Sequence, residues 1–376
     1  MNLKKRHSRR TFFSQAAGVA FGSAVLPLLG DERIPPVANI ADRLRQQMSD
    51  APLAMRLKDM TADECRVFQS EFGTKLKELL GEFQPPRTWK TTLVGSVSQK
   101  GYRRDELLLQ SEGSPPLPLY LLVPDVAKRG RRPCVLALHG HGDFGHHPVA
   151  GRDDLPGVEQ AIASANYDYG RQLALRGYLV ACPCFTPFGD RLGSRQAFKQ
   201  RDPCEDVFLR LLALGRVLMT ENLRDALWAL NHLLEHEQAD AERIACVGLS
   251  YGGRMTMLTA ALEPRVKVAV ISGALNVMQE RLAQPYSCGA QIIPGLLQFG
   301  DVPEIGALIA PRHAIWEMGS RDGLIKPQWA DEAIGRMRRA YRALGADERL
   351  LVDRFDGVHQ WHGTVAYDVL AKLFGH

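Results

Sequence analysis

The chain lacks an excess of either charge once its first thirty residues are set aside. Of its 376 residues, 47 are basic and 42 acidic. Lys4, Lys5, Arg6, Arg9 and Arg10 fall in residues 1–30, which hold no acid, so 42 basic residues meet 42 acidic ones in the remainder. A neutral body has no basic footprint for DNA or RNA, and nucleic acid is excluded as the expected partner. No stretch is long and apolar enough for a comfortable membrane span: the run from Ala16 to Leu29 is short and rich in Gly and Ala. Internal repeats and low-complexity tracts are also missing, which excludes solenoids, propellers and collagen-like arrays. Cysteines are few, at seven, and the odd count leaves at least one thiol outside any intramolecular bridge. Cys134, Cys182 and Cys246 lie in strand-like apolar runs, where a thiol acts as a small hydrophobe. Cys182-Pro183-Cys184 is too tight for a zinc or thioredoxin pattern; if a bridge exists, the loop residues Cys204 and Cys288 suit it better.

What is present begins with an address. Ser8-Arg9-Arg10-Thr11-Phe12-Phe13 resembles the twin-arginine export motif, ahead of the modest apolar run. An ordinary secretory signal or an uncleaved anchor is the alternative. Residues 1–35 are therefore expected to serve export to the periplasm or beyond, with the twin-arginine machinery as partner. The expected organisation continues with a helical extension and first antiparallel strands over 36–130, then a catalytic core over 131–376.

Thr61-Ala62-Asp63-Glu64 is a capping box that predicts a helix running toward Leu80 and ending near Gly81. Glu106–Gln110 and Leu117–Val123, parted by Gly113-Ser114-Pro115-Pro116, predict an antiparallel pair. Beyond them the pattern alternates. Short apolar runs at Cys134–Leu138, Leu179–Cys182, Ile244–Val247, Val266–Ile271, Ala314–Met318 and Leu350–Phe355 are separated by helical stretches such as Leu223–Leu234 and Trp329–Ala343. Continuous apolar strands between amphipathic helices predict an α/β fold with a mostly parallel sheet covered on both faces. The irregular stretches Phe185–Asp206 and Leu275–Ala307 are the places expected to set specificity.

After the strand Ile244–Val247 comes Gly248-Leu249-Ser250-Tyr251-Gly252, then a helix. A nucleophilic serine needs this tight strand–turn–helix, with small residues on either side so that strand and helix can approach. It also needs a histidine base and a carboxylate to orient it. Downstream strands end in Gly319-Ser320-Arg321-Asp322-Gly323 and in Asp356-Gly357-Val358-His359-Gln360-Trp361-His362-Gly363. Ser250, Asp322 and His359 therefore stand in the order nucleophile, acid, base, with His362 the competing histidine. An oxyanion hole needs two backbone N–H donors, expected from Tyr251 and from His141 in His139-Gly140-His141-Gly142. His141, Asp143, His146 and His147 are ligand types, but their spacing suits a tight polar loop, and the expected chemistry requires neither metal nor cofactor.

With these motifs in hand, residues 133–362 resemble the dienelactone-hydrolase-like and acetyl-xylan-esterase-like branch of the α/β-hydrolase superfamily. The resemblance rests on HGHGD (139–143), NYDYGRQLALRGY (166–178), FGDR (188–191), ERIACVGLSYGGR (242–254), GSRDGL (319–324) and FDGVHQWHG (355–363). It implies a sheet of about eight strands and ester hydrolysis, with Ser250 as nucleophile, Asp322 as acid and His359 as base. Dienelactone hydrolases proper carry Cys at the elbow, so Ser250 favours a serine carboxylesterase acting on small or carbohydrate esters. The competing readings are a serine peptidase of the prolyl-oligopeptidase type and a non-catalytic binding protein of the same fold.

Overall fold

The computed structural model describes residues 40–125, 130–199, 201–283 and 288–375. The expected export segment, Arg9 and Arg10 included, lies outside the described residues. Nine strands form one sheet in the order β1-β2-β3-β5-β4-β6-β7-β8-β9. The strands are β1 (Lys90–Gln99), β2 (Tyr102–Ser111), β3 (Ser114–Pro124), β4 (Arg132–Leu138), β5 (Leu179–Pro183), β6 (Ala239–Leu249), β7 (Val268–Ser272), β8 (His313–Gly319) and β9 (Leu350–Phe355). β1, β2 and β3 are antiparallel neighbours, and β3 joins β5 antiparallel. Every pairing from β5 through β4 to β9 is parallel. The strand missing from the sequence reading is β1. It is an edge strand with no buried residue, so it lacks the alternating apolar face by which a strand is recognised.

Period-two alternation divides the core between the faces. Cys134, Leu136 and Leu138 of β4, with Ile244 and Cys246 of β6, point into one core; Val135 and Ala137, with Ala245, Val247 and Leu249, point into the other. The first core is covered by α2 (Ala62–Leu80), α6 (Leu218–Leu234), α7 (Tyr251–Leu262), α9 (Val302–Ala307) and α10 (Pro327–Ala343). The second is covered by α4 (Tyr169–Leu175) and α11 (Thr364–Phe374). The remaining helices are α1 (Ile40–Ser49), α3 (Val158–Ala165), α5 (Pro203–Ala213) and α8 (Met278–Ala283). Among the described residues no helix is long and apolar enough to cross a membrane.

The helix α2 shows how local signals become tertiary structure. Its capping box forms: the Thr61 hydroxyl accepts from Glu64 N–H, and the Glu64 carboxylate accepts from Thr61 N–H at 2.7 Å. Gly81, at φ 75°, ends it. Phe72, Leu76 and Leu80 fall on one face and are buried against the sheet's first core. Each such side chain contributes roughly 1.5–3 kcal/mol relative to exposure, which fastens α2 to that core. Residues 130 and 131 lie on the connection from β3 to β4, and the strands on either side of it belong to one sheet.

β4 is followed by β5 on one side and β6 on the other. The segments leaving the carboxyl ends of β4 and β6 diverge there, opening a crevice. That crevice holds the site.

Candidate active site

The elbow is built by close approach. Ser250 has φ 62° and ψ −120°, between the end of β6 and the first turn of α7. Holding a non-glycine residue there costs of order 1–3 kcal/mol, which the surrounding packing must offset. A Cβ on Gly252 would lie 1.9 Å from the Leu138 carbonyl oxygen, and one on Gly248 would lie 2.4 Å from the Gly252 carbonyl oxygen. Only glycines let β4, β6 and α7 meet so closely. Ser250 N–H donates to the Ser272 carbonyl of β7 at 2.8 Å, which fixes the turn. Its side chain lines a cavity of about 200 Å³ with His141, Phe144, Tyr167, Leu249 and His359.

His359 arrives from the loop after β9. A Cβ on Gly273 would lie 2.8 Å from His359 Cε1, so the imidazole rests directly on the strand-end backbone beside the elbow. His359 Nδ1 and Asp322 Oδ2 are 2.7 Å apart, and Asp322 Oδ1 accepts from Leu324 N–H at 2.9 Å. A carboxylate at Nδ1 places the proton there and leaves Nε2 as acceptor. His359 Nε2 is buried without a hydrogen-bond partner. It shares the cavity with Ser250 without a formed bond, as is common for catalytic pairs before substrate tightens them.

The competing histidine is held elsewhere. His362 Nδ1 is 2.7 Å from Asp353 Oδ2, and the His362 ring stacks on Phe355 with centroids 4.4 Å apart. The structure brings Ser250, His359 and Asp322 together and leaves His362 outside the cavity lining. Beneath this loop lies Glu317 of β8, which the sequence reading did not single out. Its carboxylate accepts from Gly363 N–H at 2.9 Å and from His362 N–H at 3.5 Å. Burial is the main cause that pushes its pKa up, to about 7, against these hydrogen bonds. Glu317 thus pins the segment that carries His359.

The loop after β4 forms the opposite wall. His139 is fully buried and acts as a strut: Phe185 N–H donates to its Nε2 at 2.9 Å, and its Nδ1 meets the Gly140 carbonyl at 2.7 Å. Burial pulls its pKa down to about 3, so it is neutral, and the two bonds require the proton on Nδ1. Gly140 N–H donates to the Tyr167 hydroxyl at 2.6 Å. The next residue is His141, which reaches the cavity, as does Gly142. Tyr251 is the first residue of α7, where an N–H has no acceptor within its own helix. Its ring packs 5.0 Å from that of His141. The two expected oxyanion donors therefore flank Ser250 from separate elements. Tyr167, another residue the motif search did not assign, stands only within the stretch NYDYG.

The cavity walls come from 141–148, α3 and Tyr167. Among the described residues, neither 185–206 nor 275–307 lines it, contrary to the expectation for specificity. Pro187, Phe188, Leu192, Asp202, Pro203 and Cys204 line a neighbouring cavity beyond His141. The reason is topological: α3 and the loop ahead of it fold over the elbow before the chain enters β5.

All seven cysteines are free thiols. Two groups of ligand-type side chains occur among the described residues: His146, His147 and Asp190, and separately His141, Cys204 and Cys288. Asp143 belongs to neither. Cys204 and Cys288, named above as suited to a bridge, do come together; Cys288 is the more acidic, lowered by the Cys204 hydrogen bond and by His141.

Comparison with known proteins agrees with the geometry. Residues 213–281, which span α6, the elbow and β7, match the prolyl oligopeptidase family. A Bacillus subtilis (strain 168) protein assigned as a hydrolase, YtaP, is 26% identical over 313 residues, covering 81% of this chain and 98% of that one. Among solved structures, a protein assigned as an acetyl xylan esterase from Bacteroides fragilis superposes with a TM-score of 0.70, at 18% identity, over 85% of this chain and 82% of that one. A glucuronoyl esterase from Solibacter usitatus gives a TM-score of 0.58 at 16% identity, covering 80% of this chain and 90% of its own. An acetyl xylan esterase from Paenibacillus sp. R4 gives 0.54 at 16% identity, over 88% and 98%. The chain has the α/β-hydrolase fold, and the solved structures it resembles include esterases.

Proposed function

We propose that the chain hydrolyses carboxylic esters through an acyl-enzyme on Ser250. The observation that carries this reading is a serine on a strained elbow sharing a cavity with the unpartnered Nε2 of a carboxylate-bound histidine. In the first half-reaction Ser250 Oγ attacks the ester carbonyl carbon while His359 Nε2 takes its proton. The N–H groups of His141 and Tyr251 hold the negative charge that develops on the carbonyl oxygen. The tetrahedral adduct then expels the alcohol, which receives the proton from His359. Water, deprotonated by the same nitrogen, releases the acid and restores Ser250. Asp322 keeps the imidazole in the required tautomer and stabilises its charged form. The acyl transfer needs no organic cofactor and no metal.

The lining supports an uncharged acyl group. Among its described residues there is no Lys, Arg, Asp or Glu, and Phe144, Pro148, Ala161, Ala165 and Leu249 make it largely apolar. Esters on carbohydrate are the favoured alcohol side, because the structures resembled include esterases named for xylan. The family match over residues 213–281 favours a second reading, a serine peptidase, but it covers only the elbow and its flanking elements. Assay of the purified chain on p-nitrophenyl acetate, acetylated xylo-oligosaccharides and a peptidyl amide separates them. Rapid turnover of the esters with none of the amide is expected; the reverse order would replace the esterase by a peptidase, and turnover of neither would leave a binding protein.

The same proposal places the protein outside the cytoplasm, through Arg9 and Arg10. Replacing both by Lys is expected to leave the precursor in the cytoplasm when cells are fractionated. Unchanged periplasmic appearance of that variant would point to an ordinary secretory signal.

A further inference from the structure

Three chain segments meet behind the oxyanion loop. His141 belongs to the loop after β4, Cys204 is the second residue of α5, and Cys288 precedes the 3-10 turn Gly289–Gln291. His141 Nε2 lies 3.2 Å from Cys288 Sγ. The three atoms His141 Nε2, Cys204 Sγ and Cys288 Sγ lie within 4.8 Å of one another. Cys204 and Cys288 are 5% and 3% exposed, and His141 is half-buried. Glu205 of α5 accepts from Gly289 N–H at 2.8 Å, which ties the two cysteine-bearing segments together. Cys134, Cys182 and Cys246 are also buried, but they sit among aliphatic neighbours in the sheet. Cys204 and Cys288 differ because they face each other and an imidazole.

This donor set has a definite chemistry. Two thiolates and one imidazole suit a thiophilic cation, and Cys₂His with an open fourth position is a known arrangement for zinc. Tetrahedral zinc at roughly 2.3 Å from sulfur and 2.0–2.1 Å from nitrogen sets its ligand atoms about 3.5–3.8 Å apart. The side chains can reach that spacing by small rotations, because their donor atoms already converge. Beside them is a second cavity of about 120 Å³, lined by His141, Asp143, Phe188, Asp202 and Cys204 among others, which gives an ion a way in and a water a place to complete the shell.

We propose that His141 Nε2, Cys204 Sγ and Cys288 Sγ form a binding site for one thiophilic divalent cation of the zinc type. The ion binds both sulfurs as thiolates, any thiol proton passing to solvent, and no electron moves. His141 stays neutral and keeps its remaining proton on Nδ1. The ion takes no part in acyl transfer; it cross-links α5 and the 289–291 turn to the loop that carries the His141 N–H.

The test uses the full chain, reduced with a phosphine under argon and dialysed against zinc or cobalt(II). One zinc per chain is expected to survive dialysis, and the cobalt form should show thiolate-to-cobalt charge-transfer bands. Cys204→Ser and Cys288→Ser should each weaken retention by more than the roughly 10–100-fold that loss of an outer hydrogen-bond partner costs. His147→Ala, in the other group of ligand-type residues, should leave it unchanged. Failure of the wild type to retain either ion overturns the proposal. So does retention that survives both cysteine substitutions, retention lost in His147→Ala instead, or formation of a Cys204–Cys288 disulfide in place of metal uptake. The readout is metal content and spectrum, so loss of the esterase reading would leave this result standing.

Discussion

Ser250→Ala is expected to reduce ester turnover by roughly 10⁶-fold, to the residue supplied by binding and the oxyanion donors alone. The variant should also lose covalent labelling by a fluorophosphonate. The fold should persist, because the contacts that hold the turn are made by backbone: Ser250 N–H to Ser272, and the glycine faces of Gly248 and Gly252 against β4 and α7. Alanine leaves the positive φ unrelieved, so its stability should match the wild type. Ser250→Gly removes the Cβ that makes φ 62° costly and should be more stable, by about 1 kcal/mol. Equilibrium denaturation of the two variants beside labelling of the wild type tests both halves. A variant that gained no stability with glycine would remove the strain argument. An alanine variant that still reacted with the fluorophosphonate would move the nucleophile away from Ser250.

The parts of this site that were legible in sequence are those made by local rules. The elbow is one turn between a strand and a helix, and its glycines announce it. Asp322 and His359 could be found because each follows a short apolar run, and the chain order of strands carries the order of roles. His139, Tyr167 and Glu317 were not legible as parts of the site. Each acts on a backbone group distant in sequence: His139 on Phe185, Tyr167 on Gly140, and Glu317 on Gly363. No periodicity marks such a pairing before the sheet has been assembled. The strand β1 escaped for a different reason, since its exposed faces leave no apolar pattern. Loop length does not mark the cavity walls. The longer loops lie to one side, whereas the short α3 and the loop before it cover the elbow. The fold class itself survived these omissions, because β4, β5, β7 and β8 are largely buried apolar runs, recognisable before their pairing is known.

Between the two histidines near the C-terminus, the expected difference in kinetics is large. His359→Ala should lower kcat by about 10³-fold or more, the loss expected when the general base of a triad is removed. His362→Ala should leave kcat within a few-fold of wild type and show itself as lost stability. The reasons are in the contacts. Truncating His359 removes the group between Asp322 and the cavity and leaves the buried Asp322 carboxylate with the Leu324 N–H alone. Truncating His362 removes a partly exposed pair with Asp353, worth about 1 kcal/mol or less, and a stack on Phe355. The loop keeps its position in that variant, because Glu317 grips it through the N–H groups of residues 362 and 363, which alanine retains. Steady-state kinetics and thermal denaturation on both variants read the two effects separately. A larger loss of kcat at His362 would exchange their roles, while small losses at both would mean that Ser250 draws its base from elsewhere.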